Sequence, residues 1–355
     1  MPSTGVHAMF ADAPMRAGMY ESFYLRAVAP DRPAGVWIRY TVHKRGGRVA
    51  NPPTGSVWCT VWEGPERPYM HKLSSDDLSV PAGGWIAVGD ARMGPGEAVG
   101  ACGEARWSLR FASAEPELRH LPHALLYRAP LPRTKLSSPM PAGRFEGVLE
   151  LGGRTLALDG WRGMVGHNWG AQHAERWIWL HGVGFAEEPD AWIDVAIGRV
   201  RMAGLTSPWV ANGALHVDGE RLRLGGLGAR GLLVAERPSH CVLSLPGAGG
   251  AVVEAHVQVP PAASAGWRYA DPDSRGDDGE NPDGRDGDDR DGRGDTRRPP
   301  ATQHDVSNCS IAALTLVVRR PGRAARTLRT AHGAAYELGM RERDHGVPIA
   351  PFGDG

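Results

Sequence analysis

A chain of 355 residues is longer than one compact core usually supports, so two domains are expected. Its 40 Lys and Arg balance its 40 Asp and Glu, and this neutrality excludes recruitment of nucleic acid or an anionic membrane by a global field. The four cysteines have no C-x-x-C spacing, which argues against a zinc knuckle or a disulfide framework and predicts a reducing, cytoplasmic location. No secretory signal is expected at the N-terminus, and the most apolar run, 309–318, is too short to span a bilayer as a helix.

The composition favours β-structure. Forty-eight Gly and 29 Pro are typical of many turns and short strands, and they predict an all-β protein. Within residues 105–111 apolar and polar side chains alternate, as in a half-buried antiparallel strand. Residues 36–41 and 57–62 are predicted to be strands of the same kind, and residues 115–126 are the one candidate helix.

A proline-rich segment separates the two halves of the chain. Pro130, Pro132, Pro139 and Pro141 oppose both a central strand and a helix interior, so we expect a domain boundary there. The expected divisions are a flexible N-terminus (1–17), a first domain (18–143), a second domain (144–342) and a tail (343–355).

The second half is predicted to contain further short strands. Residues 145–151 and 154–158 flank Gly152-Gly153 and form a predicted hairpin, and Asp218-Gly219 is the strongest two-residue hairpin signal in the chain. Residues 270–303 are dominated by Asp, Gly and Arg, so a disordered insertion is expected there. Its aspartates do not have the spacing of a calcium-binding loop. The other predicted strands are 177–185, 192–197, 214–217, 221–224, 241–245, 252–259 and 311–318.

The most unusual segment runs from residue 163 to residue 184 and is rich in histidine and tryptophan. If residues 177–185 form a strand, Trp177, Trp179 and His181 share one face and build an aromatic wall. Indole faces suit an apolar, unsaturated ligand, and a histidine can move protons near neutral pH. The same composition fits a tryptophan-rich core with histidines at turns. The candidate ligand-binding residues are Trp169, His173, Trp177, Trp179 and His181.

A metal site is the alternative use of these histidines. His167, His173 and His181 are six and eight residues apart, a spacing that matches no compact ligand motif, so no metal is expected. In the first domain, Glu21 lies in an aromatic stretch. It could be a desolvated general acid, or it could form an ion pair with Arg39 or with Arg176.

Four segments carry a family resemblance. They are residues 21–27, residues 37–40 and, above all, Gly-His-Asn-Trp-Gly at 166–170 with Arg-Trp-Ile-Trp-Leu at 176–180. These segments resemble the hydroxyneurosporene synthase-like proteins, also called carotenoid 1,2-hydratases, and the wider tocopherol cyclase and AttH-like group. The resemblance implies two packed lipocalin-like β-barrels, a lipophilic substrate, and protonation or cyclisation of double bonds without a cofactor.

The same resemblance assigns roles to individual residues. It implies that His167, Asn168 and Trp169 form the family's motif at the mouth of the second barrel. Related members carry an acidic residue directly before this histidine, whereas here Gly166 stands in that place. A neutral histidine is a poor acid for an unactivated alkene, so Glu175, Asp194 and Glu21 are the candidate replacements.

The sequence therefore leaves three functions open. The first is a cofactor-independent hydratase, isomerase or cyclase that acts on an apolar unsaturated small molecule, with His167, Asn168 and Glu21 as the catalytic candidates. The second is a carrier or sensor that uses the same pocket without turnover, which the missing acid favours. The third is a carbohydrate-binding module, because exposed tryptophans stack on sugars. The pattern does not decide the oligomeric state.

Overall fold

The computed structural model describes residues 5–14, 17–47, 52–202, 205–226, 228–272 and 303–352. The prediction of an all-β fold is confirmed, because these residues form two large antiparallel sheets and contain no α-helix. Three short 3-10 turns, Phe10–Asp12, Ala124–Tyr127 and Ala248–Gly250, are the helical elements of the described chain. The expected insertion at 270–303 lies, apart from its ends, outside the described residues.

The first sheet contains thirteen strands, in the order β4-β3-β2-β1-β13-β11-β9-β8-β7-β6-β5, with β10 and β12 paired to β11. Most neighbouring strands are consecutive in the chain, whereas β13 lies between β1 and β11. The strands are β1 (Met19–Val28), β2 (Ala34–Lys44), β3 (Thr54–Glu63), β4 (Tyr69–Ser75), β5 (Leu78–Ser79), β6 (Ile86–Val88), β7 (Ala91–Gly94), β8 (Glu97–Cys102), β9 (Ala105–Ala112), β10 (Leu118–Arg119), β11 (Thr134–Leu151), β12 (Arg154–Ala157) and β13 (Trp161–Gly170).

The second sheet contains ten strands, in the order β19-β18-β15-β14-β25-β24-β22-β21-β20, with β23 paired to β24. Two further strands, β16 (Arg201–Met202) and β17 (Leu205–Thr206), pair only with each other. The strands of the second sheet are β14 (Arg176–Gly182), β15 (Trp192–Arg199), β18 (Val210–Val217), β19 (Glu220–Gly225), β20 (Leu233–Arg237), β21 (His240–Pro246), β22 (Val252–Gln258), β23 (Ala265–Ala270), β24 (Gln303–Arg319) and β25 (Arg326–Met340).

The proline-rich segment is part of the first sheet. Strand β11 runs through Pro139 and Pro141 between β13 and β9, so the expectation that these prolines interrupt the sheet is wrong. The register of β11 against β13 shifts between Ser137 and Met140, and again between Met140 and Gly143. These irregular steps leave positions at which no backbone N–H is needed, and a strand tolerates proline there.

The position of β13 changes the expected division of the chain. The structure changes from the first sheet to the second between Gly170 and Arg176, whereas the sequence suggested a boundary at 143/144. The His-Asn-Trp-Gly motif therefore lies on a strand of the first sheet and not at the mouth of the second barrel, as the resemblance implied. Its neighbours are β1 on one side and β11 on the other.

Both predicted hairpin turns agree with the structure, whereas the predicted helix does not. The hairpin at Gly152-Gly153 joins β11 to β12, and Asp218-Gly219 joins β18 to β19 with φ of 54° and 71°. Both central residues of a type I′ turn need such positive φ values. The candidate helix at 115–126 is wrong, because this segment contains the short strand β10 and a 3-10 turn.

Each sheet encloses its own apolar core. The interior of the first sheet includes Phe23, Leu25 and Phe145. The core of the second sheet also takes in Trp37 and Trp62 from the first sheet, so the two barrel-like layers pack directly against each other. The Trp62 indole is completely buried, and its Nε1 donates a hydrogen bond of 2.7 Å to the carbonyl oxygen of Ala263 across this junction.

Candidate functional site

A cavity of about 430 Å³ lies between the two sheets. Its volume is in the range of small-molecule sites, and apolar side chains from both sheets line most of its wall. The first half of the chain contributes β1, β2, β11 and β13, and the second half contributes β14, β15, β18, β23 and β25. Aromatic and large aliphatic members of the wall include Trp37, Leu121, Leu126, Leu131, Leu136, Trp177, Ile178, Trp179 and Ile197.

Strand alternation decides which side chains reach this cavity. On β1, Tyr20 and Tyr24 line the cavity, whereas Phe23 belongs to the core of the first sheet. On β13, Asn168 lines the cavity, while His167 stacks on Phe23 with ring centroids 4.2 Å apart. Successive side chains of a strand point to opposite faces, so the motif presents its amide to the cavity and its imidazole to the other side.

A glycine makes room for Tyr24. Gly166 on β13 is paired with Tyr24 on β1, and a Cβ at Gly166 would overlap the Tyr24 ring. The absence of a side chain at Gly166 therefore allows this tyrosine ring to lie across β13. The ring also packs edge-on against Trp179, with centroids 5.4 Å apart.

The hydroxyl of Tyr24 is available to a ligand. Tyr24 is 7% exposed, lines the cavity, and makes no hydrogen bond with any residue in the described ranges. Burial raises the pKa of this phenol well above its ordinary value, and the carboxylates of Asp194 and Glu337 raise it further. Tyr24 is therefore a neutral O–H donor at physiological pH.

Glu337 on β25 is a carboxylate on the same wall. Trp177 Nε1 donates to its Oε1 at 2.9 Å, Asn308 Nδ2 donates to its Oε2 at 3.1 Å, and the Tyr269 hydroxyl lies 3.5 Å from Oε2. In the described part of the chain Glu337 has no ion-pair partner. The nearby cation Arg39 instead lies over the Tyr269 ring, 4.3 Å from its centroid. Neutral donors thus fix the direction of this carboxylate.

Three further polar side chains face the cavity. Asn168 Oδ1 and Asn212 Oδ1 are buried and accept no hydrogen bond among the described residues. His173 stacks on Tyr20, with ring centroids 4.1 Å apart. Burial lowers the pKa of His173 well below its ordinary value, and His304, Arg39 and His43 lower it further, so its imidazole is neutral. A buried acceptor without a partner is costly, and a polar ligand group would satisfy it.

Two of the three predicted catalytic residues, His167 and Glu21, lie outside this cavity wall. His167 Nε2 is 2.7 Å from Glu21 Oε1, and the backbone N–H groups of Met9 and Phe10 also donate to this carboxylate at 2.7–2.9 Å. Trp169 stacks on His167 on the same face of β13. The partner of Glu21 is therefore this histidine, and the contact ties the N-terminal segment to the first sheet.

His181 belongs to the junction between the sheets. Its Nε2 donates to the carbonyl oxygen of Pro141 at 2.9 Å, and its Nδ1 accepts from Arg26 Nη1 at 2.8 Å. Arg26 is completely buried and also donates to the carbonyl oxygen of Ser310 at 2.8 Å. Burial and the adjacent guanidinium lower the pKa of His181 to about 3. This imidazole is a neutral hydrogen-bonding bridge.

Asp194, a candidate replacement acid, supports the wall from behind. It is fully buried, accepts from Trp179 Nε1 at 3.1 Å and from Ser138 Oγ at 2.5 Å, and lies 3.3 Å from His120 Nε2. Burial alone would raise the pKa of Asp194, but His120, His181 and Ser138 together hold it below its ordinary value. The carboxylate therefore orients the Trp179 indole.

The structure brings together four of the eight predicted site residues. The described residues that line the cavity include Asn168, His173, Trp177 and Trp179. They do not include His167, Trp169, Glu21 or His181. The sequence prediction missed Tyr24, Tyr269, Asn212 and Glu337. Alternation along β1 could have indicated Tyr24, but the other three lie on strands that no local motif marks.

Comparisons with known proteins define the fold. No family model matches the chain. It is 30% identical over 168 residues to an uncharacterised protein of Mycobacterium tuberculosis, recorded in strains CDC 1551 and H37Rv, and this stretch is 46% of the chain and 49% of the relative. The chain thus spans about half the length of the curated relatives it matches.

Solved structures match over a much larger share. An AttH-like protein of Nitrosomonas europaea aligns over 96% of this chain and 99% of its own, with a TM-score of 0.50 and 11% identity. CghA crystallised with Sch210972 aligns over 91% of this chain and 88% of its own, with a TM-score of 0.57 and 13% identity. The fold is lipocalin-like. At these identities the likeness concerns architecture alone.

In the described residues no helix is long and apolar enough to cross a membrane.

Proposed function

We propose that this lipocalin-like protein is a cofactor-independent hydratase, isomerase or cyclase whose substrate is an apolar, unsaturated small molecule of isoprenoid or polyketide type. The observation that carries the proposal is the cavity of about 430 Å³ between the two sheets, with an aromatic wall and a few convergent polar groups. The resemblance of the His-Asn-Trp-Gly segment to carotenoid 1,2-hydratases supports the same class.

The wall suits such a substrate for two reasons. Trp177 and Trp179 present indole surfaces that bind polyene or ring systems by contact area and stabilise developing positive charge. Asn168, His173 and Tyr24 supply hydrogen-bonding groups that are free to orient one polar group of the substrate. The structural relative CghA was crystallised with Sch210972, so a protein of this architecture can hold an organic compound.

Side chains of the His-Asn-Trp-Gly motif have different roles on the two faces of β13. Asn168 contacts the substrate, whereas the buried His167–Glu21 pair holds the strand in place from behind. His167 and Glu21 are therefore positioning residues in this proposal. Their substitution should weaken the anchoring of β13 and of the N-terminal segment, should leave the apolar wall that binds retinol in place, and should not remove a proton carrier from the cavity.

A carrier without turnover is the second candidate. The observation that favours it is the orientation of His167, because the one imidazole of the family motif points away from the cavity. Binding would then be the same, and the ligand would leave unchanged.

The test uses retinol as a binding probe and mass spectrometry as the activity readout. Ala196→Trp places an indole inside the cavity, whereas Leu233→Trp adds the same group at a position that is 68% exposed on β20. We expect retinol to quench tryptophan fluorescence in the parent chain and in Leu233→Trp, but at least tenfold more weakly in Ala196→Trp.

Incubation with a panel of isoprenoid and polyketide polyenes then separates the two candidates. A product heavier by one water, or one of unchanged mass and new retention time, supports the enzyme. Polyenes that bind in the cavity and are recovered unchanged support the carrier. Equal binding by both tryptophan variants would contradict the assignment of the cavity as the binding site.

A further inference from the structure

Tyr24 and Glu337 face one region of the cavity. Trp179 on β14 is paired with Glu337 on β25, and the Tyr24 ring packs against Trp179. The hydroxyl and the carboxylate are close enough for Glu337 to be one of the charges that raise the pKa of Tyr24. The Tyr24 hydroxyl, a hydrogen-bond donor, and the Glu337 carboxylate, a proton acceptor, therefore both line the apolar cavity.

The cavity wall carries no strong acid among its described residues. Its carboxylates are Glu175 and Glu337. Glu175 Oε2 is ion-paired with Arg341 Nε at 3.0 Å, and the Glu337 carboxyl group is contacted by three neutral groups, the Trp177 indole, the Asn308 amide and the Tyr269 hydroxyl. Tyr24 holds its proton firmly. Protonation of an unactivated alkene, which produces a carbocation, needs a stronger acid than any of these groups.

The same groups suit chemistry through an enolate. A neutral tyrosine in an apolar site stabilises a developing oxyanion by donating a hydrogen bond, and a carboxylate nearby can remove a proton from carbon. Only a substrate whose double bond is conjugated with, or adjacent to, a carbonyl group can use this combination, because the carbonyl oxygen must receive the negative charge.

We propose that the cavity takes an apolar unsaturated ketone, with Tyr24 as the donor to its carbonyl oxygen and Glu337 as the base that shifts its double bond. This inference rests on the proposed function and narrows its reaction class to isomerisation. The geometry that carries it is that Tyr24, whose ring contacts Trp179, and Glu337, which is paired with Trp179 across the sheet, both line the cavity.

The reaction needs no oxidant, reductant or further reactant. A C–H bond at the carbon α or γ to the carbonyl group breaks, its proton moves to a Glu337 carboxylate oxygen, and its electron pair moves through the conjugated system to the carbonyl oxygen. Tyr24 stabilises that oxygen by hydrogen bonding and keeps its own proton. The Glu337 carboxyl group then returns the proton to another carbon of the same conjugated system, which in α-ionone is the far carbon of the ring double bond, so a new C–H bond forms there and the double bond has moved.

Neighbouring residues position each of the two groups. Trp177 Nε1 and Asn308 Nδ2 donate hydrogen bonds to the two oxygens of Glu337 and orient its carboxyl group. The open place beside Gly166 fixes the ring of Tyr24. An occupied cavity would satisfy the hydroxyl that the protein itself leaves without a partner.

The experiment follows α-ionone, an isoprenoid ketone, with the full chain in D₂O. Deuterium incorporation is measured by NMR, and conversion to β-ionone by its absorbance. We expect exchange above the buffer rate, a loss of at least 100-fold in Glu337→Gln, and a loss of about 100-fold in Tyr24→Phe. Tyr40→Phe is the control, because the Tyr40 hydroxyl is bonded to Arg92 and Trp107 inside the core of the first sheet; it should retain the rate within about twofold.

Binding measurements distinguish failure of this inference from failure of the proposed function. α-Ionol, the corresponding alcohol, has no carbonyl group and should bind without exchange. If both compounds quench tryptophan fluorescence and neither exchanges above the buffer rate, the enolate chemistry is refuted while the apolar site stands. Exchange that survives in Glu337→Gln refutes it as well. If neither compound binds, the cavity assignment fails and this inference fails with it.

Discussion

Gly166→Ala tests the link between the glycine that precedes His167 and the shape of the cavity. The added Cβ would overlap the Tyr24 ring, so the ring must rotate toward the cavity, which offers about 430 Å³. Overpacking usually costs about 1–3 kcal/mol, and the gain from replacing a strand glycine offsets about 0.5–1 kcal/mol. We expect a net loss of about 1–2 kcal/mol in the free energy of unfolding and at least a tenfold loss of retinol affinity.

A double-mutant cycle in urea, followed by tryptophan fluorescence, measures this coupling. In a Tyr24→Ala background the methyl group of Gly166→Ala has no ring to displace, so its cost should fall to within about 0.5 kcal/mol of zero. Gly198→Ala is the matched control, since its Cβ would meet Ala174 Cβ at an ordinary 3.4 Å. If Gly166→Ala costs the same with and without the ring, or costs nothing, the packing argument is refuted.

Three further predictions concern stability. In the folded protein the pKa values of His181 and His304 are both about 3, below the value of an unfolded histidine. The free energy of unfolding should therefore fall as the pH drops from about 6.5 toward 3, by roughly 1 kcal/mol per pH unit for each histidine. A flat urea-derived stability profile across this range would contradict the buried neutral imidazoles. Glu21→Gln should lower the free energy of unfolding by about 1–3 kcal/mol and expose residues 9–10 to protease, while retinol affinity stays within about twofold. Loss of affinity with unchanged stability would assign Glu21 to the cavity instead. Trp62→Phe removes the hydrogen bond across the sheet junction and should cost about 1–2 kcal/mol by urea unfolding; no change would show that this contact is neutral.

Local patterns predicted most strands, because alternation and turn chemistry act over a few residues. The half-buried strand β9 and the turn at Asp218-Gly219 depend only on side-chain polarity and on positive φ, which a short sequence can specify. The route of β11 past Pro139 and Pro141 was not predictable in this way. It depends on bulges against β13, and those are set by pairing with a distant strand.

The site was half predictable for a related reason. The His/Trp-rich segment identified the wall formed by Trp177 and Trp179, since these residues alternate within one strand. The same rule turns His167 away from the cavity once β13 is known to be a strand of the first sheet. Glu337 follows Trp179 by 158 positions in the chain, and only the pairing of β14 with β25 brings them together.

The placement of the cavity between the sheets has a thermodynamic consequence. A guest molecule held there touches both layers at once, so its binding free energy adds to the cohesion of the whole chain and not to one layer alone. A free ligand concentration of a hundred times the dissociation constant would raise the free energy of unfolding of the chain by about 2.7 kcal/mol. The melting temperature of the intact chain would then report occupancy directly, and a compound library could be ranked by thermal shift before any reaction product is known.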